Sequence, residues 1–318
     1  MELKHLYELA INFGIEADPR DKEIVLKNLE EIKKEYNLLS DEKKNEFDKE
    51  KLVNPYADTR ILYGENTLDI KNVLIGIDID GSEILLADNL KKNEKKIDLV
   101  ISHHPQGSAY ASFYEVMNIH TDMLNKYGVP INVAEGILKE RINEVSRRVM
   151  PVNHQRTVDM AKLLDIPFMC IHTPADNHVA SYLQKHLEEK NPFYVKDVVK
   201  ILKEILEYKQ ASIEKAGPTI IVGNEKNRTG GIFVDMTGGT EGSKEAFEKL
   251  VCAGKVGTVV GMHFSEEHKK EAEKNYVNLI IAGHMASDNL GLNLLFDKIM
   301  KKEKINIISC SGFRRFER

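Results

Sequence analysis

Short apolar runs rich in β-branched residues recur along most of this chain, separated by amphipathic stretches of helical period. The run 73–79 (VLIGIDI) is apolar except at Asp78, the pattern of a strand buried on both faces. A helix over 82–95 and a second strand over 98–102 (DLVIS) complete a parallel βαβ unit. Helical periodicity then covers 111–127 and 135–149, with a strand expected at 129–133 and a further helix at 157–164. The run 167–171 (PFMCI) reads as another buried strand, and 179–187 and 195–208 as helices. Strands are expected over 218–222, 231–235, 258–261 and 277–282, with helices over 240–253 and 266–275 between them. Laying LVISHHP over LIIAGHM aligns Leu99 with Leu279 and His104 with His284. The expected fold class is therefore α/β: two similar lobes with mixed or parallel sheets, related by pseudo-symmetry.

The first 60 residues differ. They are rich in Lys and Glu, and Ile24, Val25, Leu29, Ile32 and Tyr36 recur at helical spacing. Ser40 reads as the N-cap of a polar helix reaching about Lys51, and Pro55 ends it. The expected organisation is a helical extension over 1–60, a first α/β lobe over 61–190 with a helical insertion at about 111–165, and a second lobe over 191–318.

Composition narrows the classes. With 42% apolar residues in 318, the chain can bury a substantial core. A formal net charge of -5 gives no global attraction to nucleic acid or to an anionic membrane. The basic stretches 139–148 and 298–304 read as solvated helix faces. No run approaches a membrane span, and the opening MELKHLYELAINFG lacks the pattern of a signal peptide. Three scattered cysteines, Cys170, Cys252 and Cys310, argue against a disulfide framework and fit a reducing cytoplasm.

Eleven histidines are the chemical feature. Counting alone proves nothing: chance supplies about 0.4 His-His pairs and about 1.7 His-x-x-x-carboxylate spacings in such a chain. Position is more informative, because ligands in open α/β sheets bind beyond the carboxyl ends of the strands. His103, His104, His172 and His284 each follow an expected buried strand. If the segment after His284 is helical, Asp288 lies one turn away and can share a metal ion with it. His5, His178, His186 and His268 are expected to face solvent. His120, His154 and His263 are intermediate, His263 being favoured for a functional role because it too follows a strand.

The runs LVISHHP (99–105), IHTPADN (171–177) and AGHMASDNLGLNLL (282–295), in this order, resemble the NGG-interacting-factor-three family of dinuclear-metal proteins. Its members often carry the label GTP cyclohydrolase I type 2 homologue. The segment ADTRILYGENTLDIKNVLIGIDID resembles the family's start, so the likeness covers about residues 57–318. It implies that His103, His104, Asp176, His284 and Asp288 hold two divalent metal ions between the lobes. Asp288 stands where the family has a bridging Glu. The 67 residues between His104 and His172 exceed the family's usual interval, so the insertion is expected to roof the site. Three imidazoles and two carboxylates would leave two divalent ions with an excess of about +2, attracting anions. A thiolate-free ligand set suits zinc, iron, manganese, cobalt or nickel. His172, His263 and Glu135 are candidate proton shuttles.

The expected function is metal-dependent hydrolysis of a small polar or phosphorylated substrate by a homo-oligomer, the resemblance implying a hexamer. The Gly-rich segment 236–247 could offer backbone N–H groups to a phosphate. The alternatives are GTP cyclohydrolase-type activity and a non-catalytic metal-binding or protein-interaction scaffold.

Overall fold

A computed structural model describes all of residues 1–318. The chain opens on three helices, α1 (Leu3–Glu16), α2 (Lys22–Leu38) and α3 (Asp41–Glu46), and a 3-10 turn at Lys49–Leu52. The first sheet is built from β1 (Arg60–Tyr63), β2 (Asn72–Gly76), β3 (Leu99–Ser102), β4 (Phe168–Cys170) and the C-terminal β9 (Asn306–Cys310). Its order is β1-β4-β3-β2-β9, with β1 antiparallel and the rest parallel. The second sheet holds β5 (Thr219–Val222), β6 (Ile232–Asp235), β7 (Thr258–Gly261) and β8 (Asn278–Ile281). Its order is β5-β8-β7-β6, again with an antiparallel first strand. The mixed α/β architecture matches expectation, and the strand order of the first four strands recurs in the second sheet.

Helix α4 (Gly81–Lys92) links β2 to β3 and starts at a capping box between Asp80 and Glu83. Between β3 and β4 lie α5 (Gly107–Ala111), α6 (Ile119–Lys126), α7 (Ile131–Val149) and α8 (Arg156–Leu163). After β4 come α9 (Thr173–Lys190), α10 (Val195–Glu204) and α11 (Leu206–Ile213). Helices α12 (Lys244–Cys252), α13 (Glu266–Lys274) and α14 (His284–Lys302) complete the second half. The helices that follow the corresponding strands β4 and β8, α9 and α14, pack against each other. The largest buried cluster draws on α1, α14 and both sheets, for example Leu6, Ile101, Leu279 and Phe296.

Several expectations are corrected. No strand forms at 129–133: Val129 closes a turn onto the Leu124 carbonyl, and Pro130, with φ fixed, begins α7. The helix expected at 111–127 breaks into α5, a 3-10 turn at Phe113–Asn118 and α6. The helix at 195–208 divides at Ile205, whose backbone is extended while its side chain stays buried. The helix from Ser40 stops at Glu46 and resumes as the 3-10 turn. Helix α9 starts six residues earlier than expected, with Pro174 in its first turn. Helix α12 starts only at Lys244, capped by the Ser243 side chain on the Ala246 N–H, so 236–242 is a loop. Gly238 and Gly239 in that loop have φ of +90° and +83°, and a Cβ there would meet His120 at 2.6 Å and Val116 at 2.8 Å. The segment between β3 and β4 thus packs against the Gly-rich loop through His120 and Val116.

His178 and His268 are buried rather than exposed, at 5% and 6%. His178 donates from Nδ1 to the Pro174 carbonyl, and its Nε2 has no partner. Burial therefore favours the neutral ring and lowers its pKa to about 4. The sign follows: between pH 6.5 and 4 the unfolded chain binds the proton that the fold refuses, so stability is present above 6.5 and lost towards 4. This one group is expected to cost about 3 kcal/mol over that window. His178→Leu should flatten the acid limb of a denaturation series, and an unchanged limb would refute the assignment.

Candidate metal centre

Three buried strands end on histidine. β3 runs directly into His103 and His104, β4 into Ile171 and His172, and β8 reaches His284 at the start of α14. Asp176 follows His172 by one turn on α9, and Asp288 follows His284 by one turn on α14. His103, His172, Asp176 and Asp288 are all buried, while His104 and His284 are partly open.

Three of the imidazoles are tied at Nδ1. That atom of His103 lies 3.0 Å from the Ile171 carbonyl. In His104 it lies 2.6 Å from Asp78, and in His172 2.8 Å from Asp58. With the proton on Nδ1, each Nε2 keeps a lone pair for a cation. Nε2 of His103 is 3.4 Å from Asp176 Oδ1 and 3.5 Å from Asp288 Oδ1. Nε2 of His104 and of His284 lie 3.4 Å and 3.6 Å from Asp288 Oδ2. Nε2 of His172 is 3.6 Å from Asp176 Oδ2.

Three overlapping sets follow: His103, His104 and His172; His104, His284 and Asp288; His103, Asp176 and Asp288. Within each, one ligand atom per residue lies within 4.8 Å of the others. Nε2 of His103, Oδ1 of Asp176 and both oxygens of Asp288 are buried without a hydrogen-bond partner. Leaving such groups bare is expensive, and carboxylates most of all. A divalent cation is the partner that fits this mixture of neutral nitrogen and anionic oxygen donors.

The electrostatics agree. Burial works against charge on His103, but the Asp288 and Asp176 carboxylates outweigh it and hold its imidazole well above the ordinary value. Burial likewise opposes ionisation of Asp288, but His103, His104 and His284 hold it well below the usual carboxylate range. The cluster thus collects positive charge.

Of the residues expected to act, His103, His104, His172, Asp176, His284 and Asp288 come together. His263 joins at the rim, its ring 4.9 Å from that of His284 and its Nδ1 3.2 Å from Glu241. Glu135 does not join; it lines a separate cavity of about 510 Å³ beside Arg20 and Asp122. His120 and His154 bond backbone carbonyls, those of Thr240 and Val149.

Sequence reasoning missed Asp58, Asp78, Asp235 and Glu241. Asp78 lies just past β2 and Asp235 ends β6, so the strand-end argument used for histidine would have found both had it been applied to carboxylates. Asp58 precedes β1 and Glu241 lies in a loop, where no periodic signal marks them.

Asp58 is fully buried and accepts from the Thr173 hydroxyl at 2.6 Å as well as facing His172. Asp58→Ala strands both partners. It is expected to cost roughly 2–4 kcal/mol in denaturant unfolding and about 10–100-fold in metal affinity by calorimetry. Wild-type values for both would show that Asp58 does not orient the centre.

No protein-family model matches the chain, and no curated protein matches it. Solved structures do. A NIF3 superfamily protein from Sphaerobacter thermophilus is 29% identical with a TM-score of 0.70, over 81% of this chain and 92% of that one. Reduced HcgD from Methanocaldococcus jannaschii is 14% identical with a TM-score of 0.47, over 84% and 94%. A Bacillus cereus protein related to NIF3 is 12% identical with a TM-score of 0.39, over 79% and 89%.

Proposed function

We propose that this chain is a member of the NIF3 superfamily that holds two divalent metal ions and hydrolyses a small polar or phosphorylated substrate, because it is similar to a NIF3 superfamily protein over 81% of its length and its cluster leaves four buried ligand atoms without a partner. The single observation that carries the reading is Asp288, whose two oxygens face different histidines. In this reading His103, His104, Asp176, His284 and Asp288 would hold the ions, Asp288 turning one oxygen towards His103 and the other towards His104 and His284. Such ions, when bound, supply Lewis acidity and a water acidified towards neutral pH. Donor chemistry admits zinc, iron, manganese, cobalt or nickel.

The chain's own residues do the rest. Asp58 and Asp78 fix the rings of His172 and His104. His263, faced at Nδ1 by Glu241, keeps Nε2 as a group that can take or return a proton at the rim. The recurring strand order supports a duplicated lobe with the centre at its junction, framed by the extension over 1–60 and the insertion at 111–165. A homo-oligomer in a reducing, cytoplasmic compartment belongs to the same reading, and sedimentation checks the first part. The space beside the cluster is about 60 Å³, room for the reacting group of a substrate.

Elemental analysis of the purified protein tests the reading, followed by an ester, amide and phosphoester screen with the metal retained. A ratio near two per chain is expected, falling when His103 and His104 are both changed to Ala. A ratio near zero in folded protein sinks the metal centre. Retained cellular function in the metal-free double variant would instead favour a non-catalytic scaffold.

A further inference from the structure

The cleft beside the cluster carries a charge pattern that the ligand set alone does not show. Asp176, Asp235, Glu241 and Asp288 all line it, and no lysine or arginine does. Glu241 accepts from the Ser265 N–H at 2.9 Å and lies 3.2 Å from His263. The His263 ring in turn lies against that of His284, so Glu241 is held one ring away from the ligands. Asp235 enters from the end of β6 and lines the same space. Glu241 and Asp235 thus add carboxylates to the two in the ligand set, so the excess of about +2 expected from the ligands alone shrinks. A proton on His263 would restore only one positive charge, less than a phosphate dianion carries.

Hydrogen-bond character points the same way. The two carboxylates that are not in the ligand set, Asp235 and Glu241, are acceptors. The Thr237 hydroxyl, at the cleft wall, is already spent on the Asn177 side-chain oxygen at 2.6 Å. The Thr240 hydroxyl and the Gly239 backbone also line the cleft, and the added carboxylates favour N–H donors on whatever enters. Phosphate sites in proteins are built the other way, from arginine forks, lysine and backbone N–H groups.

Resting on the metal reading above, we infer that Glu241 and Asp235 are specificity-determining residues. They select a small uncharged or cationic head group rich in N–H donors, of carboxamide or amine type, and exclude phosphate. This narrows the substrate from polar or phosphorylated to the first alone.

The experiment uses the metal-loaded full chain. Wild type, Glu241→Gln and Asp235→Asn are titrated calorimetrically with inorganic phosphate and, separately, with glycinamide, and the metal content of each is measured. Wild type should bind glycinamide more tightly than phosphate. Each substitution removes one negative charge, and should tighten phosphate and weaken glycinamide by about tenfold at unchanged metal content. Tighter binding of phosphate than of glycinamide by wild type overturns the inference while leaving the metal centre intact. So do affinities that neither substitution moves. Loss of metal in Glu241→Gln or Asp235→Asn also overturns it, by making that residue a ligand. Absence of metal from folded wild type removes the reading of the centre itself, and this inference with it.

Discussion

Asp288→Ala is expected to empty the metal centre. The carboxylate lies within 3.4–3.6 Å of Nε2 on three histidines, His103, His104 and His284, and belongs to two of the three ligand sets. The other carboxylate of the sets, Asp176, faces only two, His103 and His172. Bound metal should fall from near two per chain to well below one. Ligation stabilises only the folded state, so wild type loaded at 100–1,000 times its dissociation constant gains roughly 3–4 kcal/mol over stripped protein. That corresponds to a chelator-induced fall in Tm of roughly 5–6 °C, which the variant should lose because it has no metal to give up. Asp288→Glu discriminates further. The longer side chain would have to enter a position only 1% exposed, where the backbone already brings Asp within reach. It should therefore bind metal more weakly than wild type. A Glu variant that binds metal more tightly would show that the present backbone is too distant for Asp to bridge.

The residues of the centre were readable because their signals were local. A β-branched run ending in histidine marks the end of a buried strand, and His-x-x-x-Asp marks one face of a helix. Neither needs knowledge of partners across the fold. Helix α1 was not readable in the same way. Leu3, Leu6, Leu9, Ala10, Phe13 and Ile15 are all buried, and the exposed Lys4, His5, Glu8, Asn12 and Glu16 form only a narrow polar stripe, so the pattern shows a helix but not how widely it is covered. The edge strands β1 and β9 failed for the opposite reason. Each is half-buried with a mixed pattern, and what makes it a strand is pairing with β4 or β2, from segments more than a hundred residues away. His178 and His268 were misplaced because a histidine on a helix carries no mark of whether the facing surface is protein or water. Glu241 belongs with these. Its importance rests on a loop held in place by the segment between β3 and β4, through the His120 ring on the Thr240 carbonyl.

One residue that carries no chemistry should matter nearly as much as the ligands. The first turn of α9, which delivers Asp176, is held between two glycines on other helices. A Cβ on Gly14 of α1 would meet Pro174 Cβ at 2.8 Å, and one on Gly291 of α14 would meet the Ala175 carbonyl oxygen at 2.4 Å and its carbon at 2.9 Å. The second contact is with backbone, so no side chain can turn aside to relieve it. Gly291→Ala must push α14 away from α9, and those two helices carry Asp288 and Asp176. Alanine improves helix propensity by about 1 kcal/mol, but overpacking a closed contact costs about 1–3 kcal/mol or more. Here the steric cost should win. We expect a net loss of up to about 2 kcal/mol, a fall in Tm of up to roughly 3 °C and weaker metal binding, because the two carboxylates no longer converge. Gly136 supplies the control: it lies exposed in α7 with nothing within 4 Å of its Cβ position. Gly136→Ala should raise stability by up to about 1 kcal/mol and leave metal content alone. Thermal denaturation with elemental analysis of both variants decides the matter. If Gly291→Ala is as stable and as metal-rich as wild type, the close approach of α9 and α14 is not what sets the spacing of the centre.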